Sequence, residues 1–347
     1  MSNPLAMGAQ LATNAARFGW FYGVNRLMEV QARRFGQKPG YRPKRPVPTQ
    51  QELMVALANL FLADAEAARR GLYPPMDAEP QSFVQHVDRL RAMFDDLPGA
   101  LARRASEEAD SVREEPGVDA VPDYYAQDFH FQSGGYLSER SARIYDVQVE
   151  TLFYGAANAM RRAALGPIAA EIAGRDQRKL AMLDVACGTG RFLRQARLAW
   201  PALRLTGIDL SPAYLAEAAQ HMRPLRPACC IAGNVEAIPL ADASQDIVTA
   251  IFLFHELPPD VRRRVSAEMA RVLKPSGMLV FIDSLQMGDR PRWDGLLEAF
   301  PVRFHEPYFR QYAIDDLDAV FNEAGLAAEA QTLAFLSKVM VRRKVTV

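Results

Sequence analysis

One stretch of eight residues, Leu183–Gly190 (LDVACGTG), constrains this chain of 347 residues more than any other. Apolar residues lead into Asp184, and a turn of small residues follows before a segment with the composition of a helix. Gly188 and Gly190 have no Cβ, so the backbone can bend sharply there and a ligand can approach it closely. A helix that begins at such a turn presents unpaired N–H groups and the positive end of its dipole. The stretch therefore predicts a strand, a tight turn and a helix.

An acid at the end of the next predicted strand indicates a nucleoside ligand. Residues 203–208 form that strand, and Asp209 follows it, 21 positions after Gly188. An acid at this spacing is placed to bind two ribose hydroxyls, in nicotinamide dinucleotides and in S-adenosylmethionine alike. The dinucleotide fingerprint has a third glycine where this chain has Leu193, which counts against a nicotinamide cofactor.

Four stretches together resemble the class I S-adenosylmethionine-dependent methyltransferases, in particular the branch that includes the ubiquinone and menaquinone methyltransferases. They are LDVACGTG (183–190), GIDLS (207–211), GNVEAIPL (233–240) and LKPSG (273–277), and they follow in order within residues 180–283. The resemblance implies S-adenosylmethionine as cofactor and a Rossmann-like α/β fold. In that fold a seven-stranded mixed sheet ends in an antiparallel hairpin, here expected near 329–335 and 338–343.

The resemblance also assigns cofactor-binding residues by motif match. Two positions depart from the family pattern: Ala186 stands where the family has a glycine, and Asn234 stands where it has an acid that binds adenine. The Asn234 side-chain oxygen is still able to accept a hydrogen bond from the adenine amino group. The expected cofactor-binding residues are Asp184, Ala186, Cys187, Gly188, Gly190, Asp209, Leu210, Asn234, Val235 and Phe252.

Two segments are candidates for the methyl-acceptor site. His255 and Glu256 follow the predicted fourth strand, and ligands bind outside the carboxyl ends of strands in open α/β sheets. A histidine there suits proton removal near neutral pH. An aromatic-rich insertion, 284–312, is expected to wall the pocket and contains His305, the third catalytic candidate, next to Glu306. Structural packing is the competing explanation for each.

The residues before the predicted methyltransferase domain (124–347) are expected to form a helical extension, residues 1–123. Thr49 to Glu52 is a capping box that begins a helix, and a later helix is expected to end at Pro98. A basic segment, 26–48, and an acidic segment, 106–123, are expected to be solvated connections. Residues 124–163 are predicted either to form an aromatic lid over the cofactor or, equally, to attach the extension to the domain. The expected substrate-binding residues are Tyr136 and Tyr145, with Tyr308 from the insertion.

Composition bears on which ligands, location and partners are expected for the protein. The formal net charge is +0, so no global basic field points to nucleic acid. The three cysteines suggest neither a disulfide framework nor a metal site, and no metal is expected. No segment is apolar enough for a membrane span, and a cytoplasmic location is expected. The expected partner is a small-molecule methyl acceptor, and dimerisation through the extension is left open. A nicotinamide-dependent reductase and a non-catalytic scaffold that binds the cofactor remain as alternatives.

Overall fold

A seven-stranded sheet forms the centre of the computed structural model, which describes residues 3–34, 41–76 and 82–345. The strands lie in the order β3-β2-β1-β4-β5-β7-β6; the first five are parallel, and β7 is antiparallel to both of its neighbours. This confirms the predicted sheet and its terminal hairpin. The strands are β1 (Ala181–Val185), β2 (Arg204–Asp209), β3 (Cys229–Ala232), β4 (Gln245–Ile251), β5 (Leu273–Ser284), β6 (Leu326–Ala334) and β7 (Ser337–Lys344).

Burial along the strands follows their position in the sheet. Every residue of β1 is buried, and so is every residue of β4 except the last. Helices cover both faces of the central strands, which is why these strands are buried along their length and mostly apolar rather than alternating. The edge strands β3 and β6 are largely exposed. The site described below therefore rests on a rigid centre.

Helices follow the strands and cover the sheet. They are α7 (Arg191–Ala199), α8 (Pro212–Met222), α9 (Pro259–Val272), α10 (Asp294–Arg303), α11 (Phe309–Tyr312) and α12 (Leu317–Glu323). The insertion between β5 and α12 carries α10 and α11. The last helix begins at Leu317, because Asp316 is the N-cap and accepts a hydrogen bond from the Ala319 N–H.

In the described ranges, six α-helices precede the sheet: α1 (Pro4–Arg34), α2 (Gln50–Arg69), α3 (Phe83–Ser106), α4 (Glu139–Leu152), α5 (Ala157–Arg162) and α6 (Leu165–Ile172). Both hydrogen bonds of the capping box between Thr49 and Glu52 are present, as predicted. Buried ion pairs join the early helices to the later ones: Asp64 on α2 binds Arg162 at 2.7 Å, and Arg17 on α1 lies 2.8 Å from Glu150 on α4. A domain boundary at residue 123 stays a prediction.

Two sequence predictions in this region are wrong. The helix α3 does not end at Pro98 but continues to Ser106. The proline removes one N–H donor, yet tertiary contacts hold the rest of the helix, since Arg103 donates two hydrogen bonds to the Phe131 carbonyl. The acidic segment is not simply a solvated linker: Val112 is fully buried, and its N–H donates to the carboxylate of Asp128.

Two further findings concern segment bounds. The strand β5 starts at Leu273 and includes the LKPSG stretch, because Leu273 pairs with Gln245. The basic segment 26–48 begins within α1, and its residues 35–40, with Lys38, lie outside the described residues. None of the helices in the described ranges combines the length and the apolar composition that crossing a bilayer requires.

Candidate active site

A cavity opens at the carboxyl ends of β1, β2 and β4, and we call it the strand-end cavity. Nine of the ten predicted cofactor-binding residues line it: Asp184, Ala186, Cys187, Gly188, Asp209, Leu210, Asn234, Val235 and Phe252. Two predicted substrate-binding residues, Tyr136 and Tyr145, also line it, as does Glu256. These residues come from the ends of separate strands and the segments that follow them, from the segment before α4 and from α4 itself. The sheet topology therefore brings together what the sequence motifs predicted.

The turn after β1 has left-handed backbone conformations at three positions. Ala186 has φ +53°, Gly188 φ +53° and Gly190 φ +73°. Gly190 is the one predicted cofactor residue that does not line the cavity. A Cβ at Gly190 would lie 2.8 Å from the Cβ of Ala218, so this glycine allows α7 to pack against α8.

Asp209 closes the turn from the end of β2. Its carboxylate accepts hydrogen bonds from the N–H groups of Gly188 (2.8 Å) and Ser211 (2.9 Å). Burial raises the pKa of Asp209. The Ser211 hydroxyl in turn donates to the Tyr136 carbonyl at 2.6 Å. The turn after β1 thus holds Asp209, the ribose-binding candidate, in place. Ser211 in turn holds the segment that contains Tyr136.

Asp184 lies at the end of β1, fully inside the protein. Its carboxylate accepts a hydrogen bond from the Thr249 hydroxyl at 2.7 Å. Burial raises the pKa of Asp184 to about 7, and the nearby charge of Asp209 acts in the same direction. In their ionised forms the two carboxylates make a negative wall in the cavity, and a cation bound against it would favour those forms.

Asn234 makes local contacts that the sequence did not reveal. Its side-chain oxygen accepts from the Glu236 N–H at 2.8 Å, and its amide donates to the Glu236 carboxylate at 3.2 Å. The Tyr124 hydroxyl also donates to Glu236, at 2.7 Å. Asn234 thus lines the cavity while its oxygen already closes a turn. A bond from that oxygen to adenine stays a prediction.

A second cavity, which we call the aromatic cavity, adjoins the first. The two share the side chains of Tyr145, Phe252 and Glu256. The aromatic cavity is otherwise walled by α4, the insertion and the β6–β7 turn. Its lining includes His130, Val149, Leu152, Phe153, His255, Leu296, Phe300, Phe304, Phe309 and Leu336. The predicted aromatic wall of the insertion is present, and α4 forms the opposite wall.

His255 is held by an acid at the end of the neighbouring strand. Its Nδ1 lies 2.5 Å from the Oδ1 of Asp283, and the other oxygen of Asp283 accepts from the N–H groups of Leu253 and Phe254. Burial opposes the charged imidazolium, but the Asp283 carboxylate overcomes it and raises the pKa of His255 to about 10. Asp283 was not among the predicted site residues; its position at the carboxyl end of β5 was the signal available.

Glu256 lies where the two cavities meet. The Tyr136 hydroxyl donates to its Oε1 at 2.5 Å, and the Nε2 atoms of His255 and His130 lie 3.8 and 3.9 Å from the same oxygen. Burial raises the pKa of Glu256 to about 7. Glu306 completes the group, since one of its oxygens lies 3.1 Å from His130 Nε2. The sequence had singled out Glu306 only as the neighbour of His305, and His130 was not among the predicted site residues.

Two predicted residues lie elsewhere. The Nε2 of His305 lies 3.1 Å from the side-chain oxygen of Gln127, and its ring packs near Phe131. The Tyr308 hydroxyl accepts a hydrogen bond from the Gln127 amide at 3.0 Å. Neither side chain lines the strand-end cavity or the aromatic cavity. The next residue along the chain, Glu306, faces the cluster instead of His305.

Comparison with known proteins identifies the part of the chain that holds this site. Residues 182–277 match the family model described as a methyltransferase domain. These residues form a class I S-adenosylmethionine-dependent methyltransferase domain. A malonyl-[acyl-carrier protein] O-methyltransferase of Hahella chejuensis is 35% identical over 28% of this chain and 34% of its own length. A demethylmenaquinone methyltransferase of Thermotoga maritima is 33% identical over 37% of this chain and 53% of its own length.

The similarity to the curated relatives covers only part of their length. The chain spans about a third and about half of the lengths of these two relatives. Among solved structures, an S-adenosylmethionine-dependent methyltransferase from Aquifex aeolicus aligns with a TM-score of 0.37 and 20% identity, over 48% of this chain and 83% of that one. The strand order described above defines the fold of the domain.

The charges of the strand-end cavity fit S-adenosylmethionine, the cofactor of this family. Three carboxylates line it, from Asp184, Asp209 and Glu256, and the cofactor carries a sulfonium and an ammonium group. Of the two arginines in the lining, Arg191 lies 2.8 Å from Asp146, and Arg161 is 3.8 Å from Glu150. The pyrophosphate of a nicotinamide cofactor would lie against these acidic side chains, and both arginines of the lining already lie near other carboxylates. This arrangement disfavours the nicotinamide alternative.

Proposed function

We propose that the protein transfers a methyl group from S-adenosylmethionine to a small, partly apolar or aromatic organic molecule. The observation that carries this proposal is the junction of the two cavities at Tyr145, Phe252 and Glu256. A methyl donor in the strand-end cavity would face an acceptor in the aromatic cavity. Alignment of two reactants at such a junction lowers the entropic part of the barrier.

The residues of the strand-end cavity are proposed to hold the cofactor in three parts. Asp184 and the backbone of 186–190 would hold the methionine part, where the negative wall favours its ammonium group. Asp209 would accept hydrogen bonds from the ribose hydroxyls, and Leu210, Asn234 and Val235 would contact the adenine. The rings of Tyr125, Tyr136 and Tyr145 would cover the cofactor and exclude water.

The chemistry is a displacement at carbon. When bound, S-adenosylmethionine supplies an electrophilic methyl group: the bond from sulfur to methyl breaks, sulfur keeps the electron pair, and a bond to the acceptor atom forms. Glu256 reaches the junction and is proposed to bind the polar atom of the acceptor and to receive its proton. His255, held by Asp283, lies beside Glu256 and would orient it. The position of His305 gives it no part in this proposal.

The acceptor class rests on the lining of the aromatic cavity. Rings and aliphatic side chains form most of it, and the polar lining includes His130, His255, Glu256 and Arg303, which is the pattern of a site for a largely apolar molecule that also carries a polar group. The curated names of the two relatives, a malonyl-[acyl-carrier protein] O-methyltransferase and a demethylmenaquinone methyltransferase, support oxygen and ring carbon as atoms to test first.

Calorimetric titration of the full-length protein tests the cofactor. Micromolar binding of S-adenosylmethionine and S-adenosylhomocysteine, and none of NADH, is expected. D209N is expected to weaken the adenosyl ligands by about 10-fold or more, since a charge-assisted hydrogen bond contributes roughly 1.5–3 kcal/mol. D242N is the matched control, because the Asp242 side chain is 77% exposed and lies outside the cavity. Equal affinities for D209N and D242N would contradict the ribose assignment.

Transfer of a labelled methyl group tests the reaction. Phenols, hydroquinones, long-chain carboxylic acids and amines are the acceptors to screen. With an active acceptor, E256Q is expected to lower turnover by about 100-fold or more while it still binds S-adenosylhomocysteine. E298Q is the control, because Glu298 lies on α10 and lines neither cavity. Full turnover by E256Q would remove Glu256 from the mechanism.

We also propose that the helical extension 1–123 supports a homodimer. The exposed apolar residues Leu5, Leu27 and Val30 lie on α1; Leu27 and Val30 are neighbours on one face of the helix, and an exposed apolar face is favoured as a contact. Light scattering at several protein concentrations tests this. A monomer at every concentration would contradict it.

A further inference from the structure

We propose that His130, Glu256 and Glu306 form a binding site for a divalent metal ion in the wall of the aromatic cavity. The three residues come from segments far apart in sequence: the turn before α4, the segment after β4 and the segment before α11. Their ligand atoms all lie within 4.8 Å of one another. That is the spacing of atoms that can share one ion.

The proposal rests chiefly on the surroundings of the buried Glu306 carboxylate. Its side chain is fully buried, and neither carboxylate oxygen accepts a hydrogen bond from any residue in the described ranges. His130 Nε2 lies 3.1 Å from one of these oxygens, in a geometry that makes no hydrogen bond. A buried carboxylate without hydrogen-bond donors is costly. A cation shared with His130 and Glu256 would satisfy both oxygens and the imidazole together.

The ligand chemistry selects the class of ion. One imidazole nitrogen and two carboxylates suit Mn²⁺, Fe²⁺, Co²⁺ or Zn²⁺, whereas Mg²⁺ and Ca²⁺ favour oxygen ligands alone. The Tyr136 hydroxyl donates to Glu256 at 2.5 Å and would orient that ligand from outside the ion's own shell. His130 and Glu256 retain 17% and 15% side-chain exposure, on the side of the cavity. An ion there would keep open positions for an acceptor oxygen.

The role of the ion rests on the proposed function. An acceptor hydroxyl that binds the ion would release its proton to solvent, and its oxygen would then take the methyl group while sulfur keeps the electron pair. Glu256 would act as a metal ligand in this case, and no protein base would be needed. The acceptor class would narrow to molecules whose reactive oxygen can bind a metal, such as catechols, hydroquinones and hydroxy acids.

Metal titration of the full-length, untagged protein tests the site. After treatment with EDTA, the protein is titrated calorimetrically with MnCl₂ and, separately, followed by visible absorption with CoCl₂. One equivalent of each ion is expected to bind. E306Q and H130Q are each expected to weaken binding by at least about 10-fold. E298Q and H305Q are the matched controls and are expected to bind as the unaltered protein does.

The outcomes separate this proposal from the proposed function. S-adenosylhomocysteine is titrated into the same EDTA-treated samples. If it binds and the metals do not, the metal site is overturned and the proposed function stands. If it does not bind, the proposed function fails irrespective of the metal result. Metal binding that both E306Q and H130Q leave unchanged also overturns the site. Circular dichroism verifies that each variant folds, and E306D replaces E306Q should that variant unfold.

Discussion

Asp146 on α4 binds the turn that follows β1: its Oδ1 accepts a hydrogen bond from the Thr189 hydroxyl at 2.7 Å. Its other oxygen lies 2.8 Å from the Nε of Arg191, the first residue of α7. Burial alone would raise the pKa of Asp146, but Arg191 and the other cations around it lower the pKa to about 2. The cofactor turn and the helix that covers the cavity therefore form one charged, buried unit.

Removal of the Asp146 carboxylate is expected to destabilise the whole fold. D146A leaves Arg191 in a buried position without this partner, and breaking a buried ion pair in this way costs about 3–5 kcal/mol. Urea denaturation of D146A measures the loss. D95A, at an exposed position on α3, is the control and is expected to change the free energy of unfolding by less than about 0.5 kcal/mol. Equal midpoints for both variants would mean that this contact contributes nothing.

Asp184 should make stability fall as pH rises. Its pKa is about 7 in the folded protein and 3.8 for an ordinary aspartate, so between these values the folded state holds more protons than the unfolded state. The contribution to the free energy of unfolding is therefore complete below pH 3.8 and is lost as pH rises to about 7.

The variant D184N tests this pH dependence. It is expected to raise the free energy of unfolding at pH 8 by on the order of 1 kcal/mol or more relative to the unaltered protein, to bring a smaller gain at pH 5, and to bring none below pH 3.8. The same variant is expected to weaken S-adenosylmethionine, because the negative wall loses a charge. Denaturation at both pH values, together with titration, measures the two effects. An identical change in stability at pH 5 and pH 8 would contradict the raised pKa.

Two positions of the cofactor turn should respond in opposite ways to exchange of alanine and glycine. Ala186 has φ +53°, a conformation that costs an L-residue roughly 1–2 kcal/mol. A186G removes this strain, which offsets the entropy that glycine loses on folding. We expect a free energy of unfolding equal to or slightly above that of the unaltered protein, as measured by thermal denaturation.

G190A is the opposing variant. Gly190 has φ +73°, and a Cβ there would lie 2.8 Å from the Cβ of Ala218, which a packed helix pair cannot readily accommodate. We expect a loss of about 1–3 kcal/mol from overpacking. If A186G proves the more destabilising of the two, strain at Ala186 is not the factor that its backbone angle indicates.

The buried pair of Arg162 and Asp64 should contribute far more than a surface pair of the same kind. Two guanidinium nitrogens of Arg162 bind the two oxygens of Asp64, each at 2.7 Å. R162M is expected to destabilise the protein by about 3–5 kcal/mol, because the Asp64 charge stays buried. R26M is the control, since the Arg26 contact with Glu29 is exposed and contributes at most about 1 kcal/mol. Similar denaturation midpoints for R162M and R26M would contradict this.

The sequence predicted those parts of the protein that depend on local backbone geometry. Gly188 and Asp209 were recognised because a tight turn and an acid after the second strand occur at a fixed spacing, and the structure brings both into one cavity. The capping box at Thr49 and the terminal hairpin were predicted for the same reason. Each of these signals lies within a short segment and needs no knowledge of the rest of the chain.

Tertiary structure alone decided the features that depend on contacts distant in sequence. The continuation of α3 beyond Pro98 needs the hydrogen bonds from Arg103 to Phe131. His305 was expected in the site, yet the backbone turns its neighbour Glu306 toward the cluster. No local sequence pattern predicts which of two adjacent residues will face the site. Asp283 binds His255, and Glu306 meets His130, only because separate loops converge at one edge of the sheet. Such groups are assembled by packing, whose free energy comes from burial of the whole core and not from any one segment.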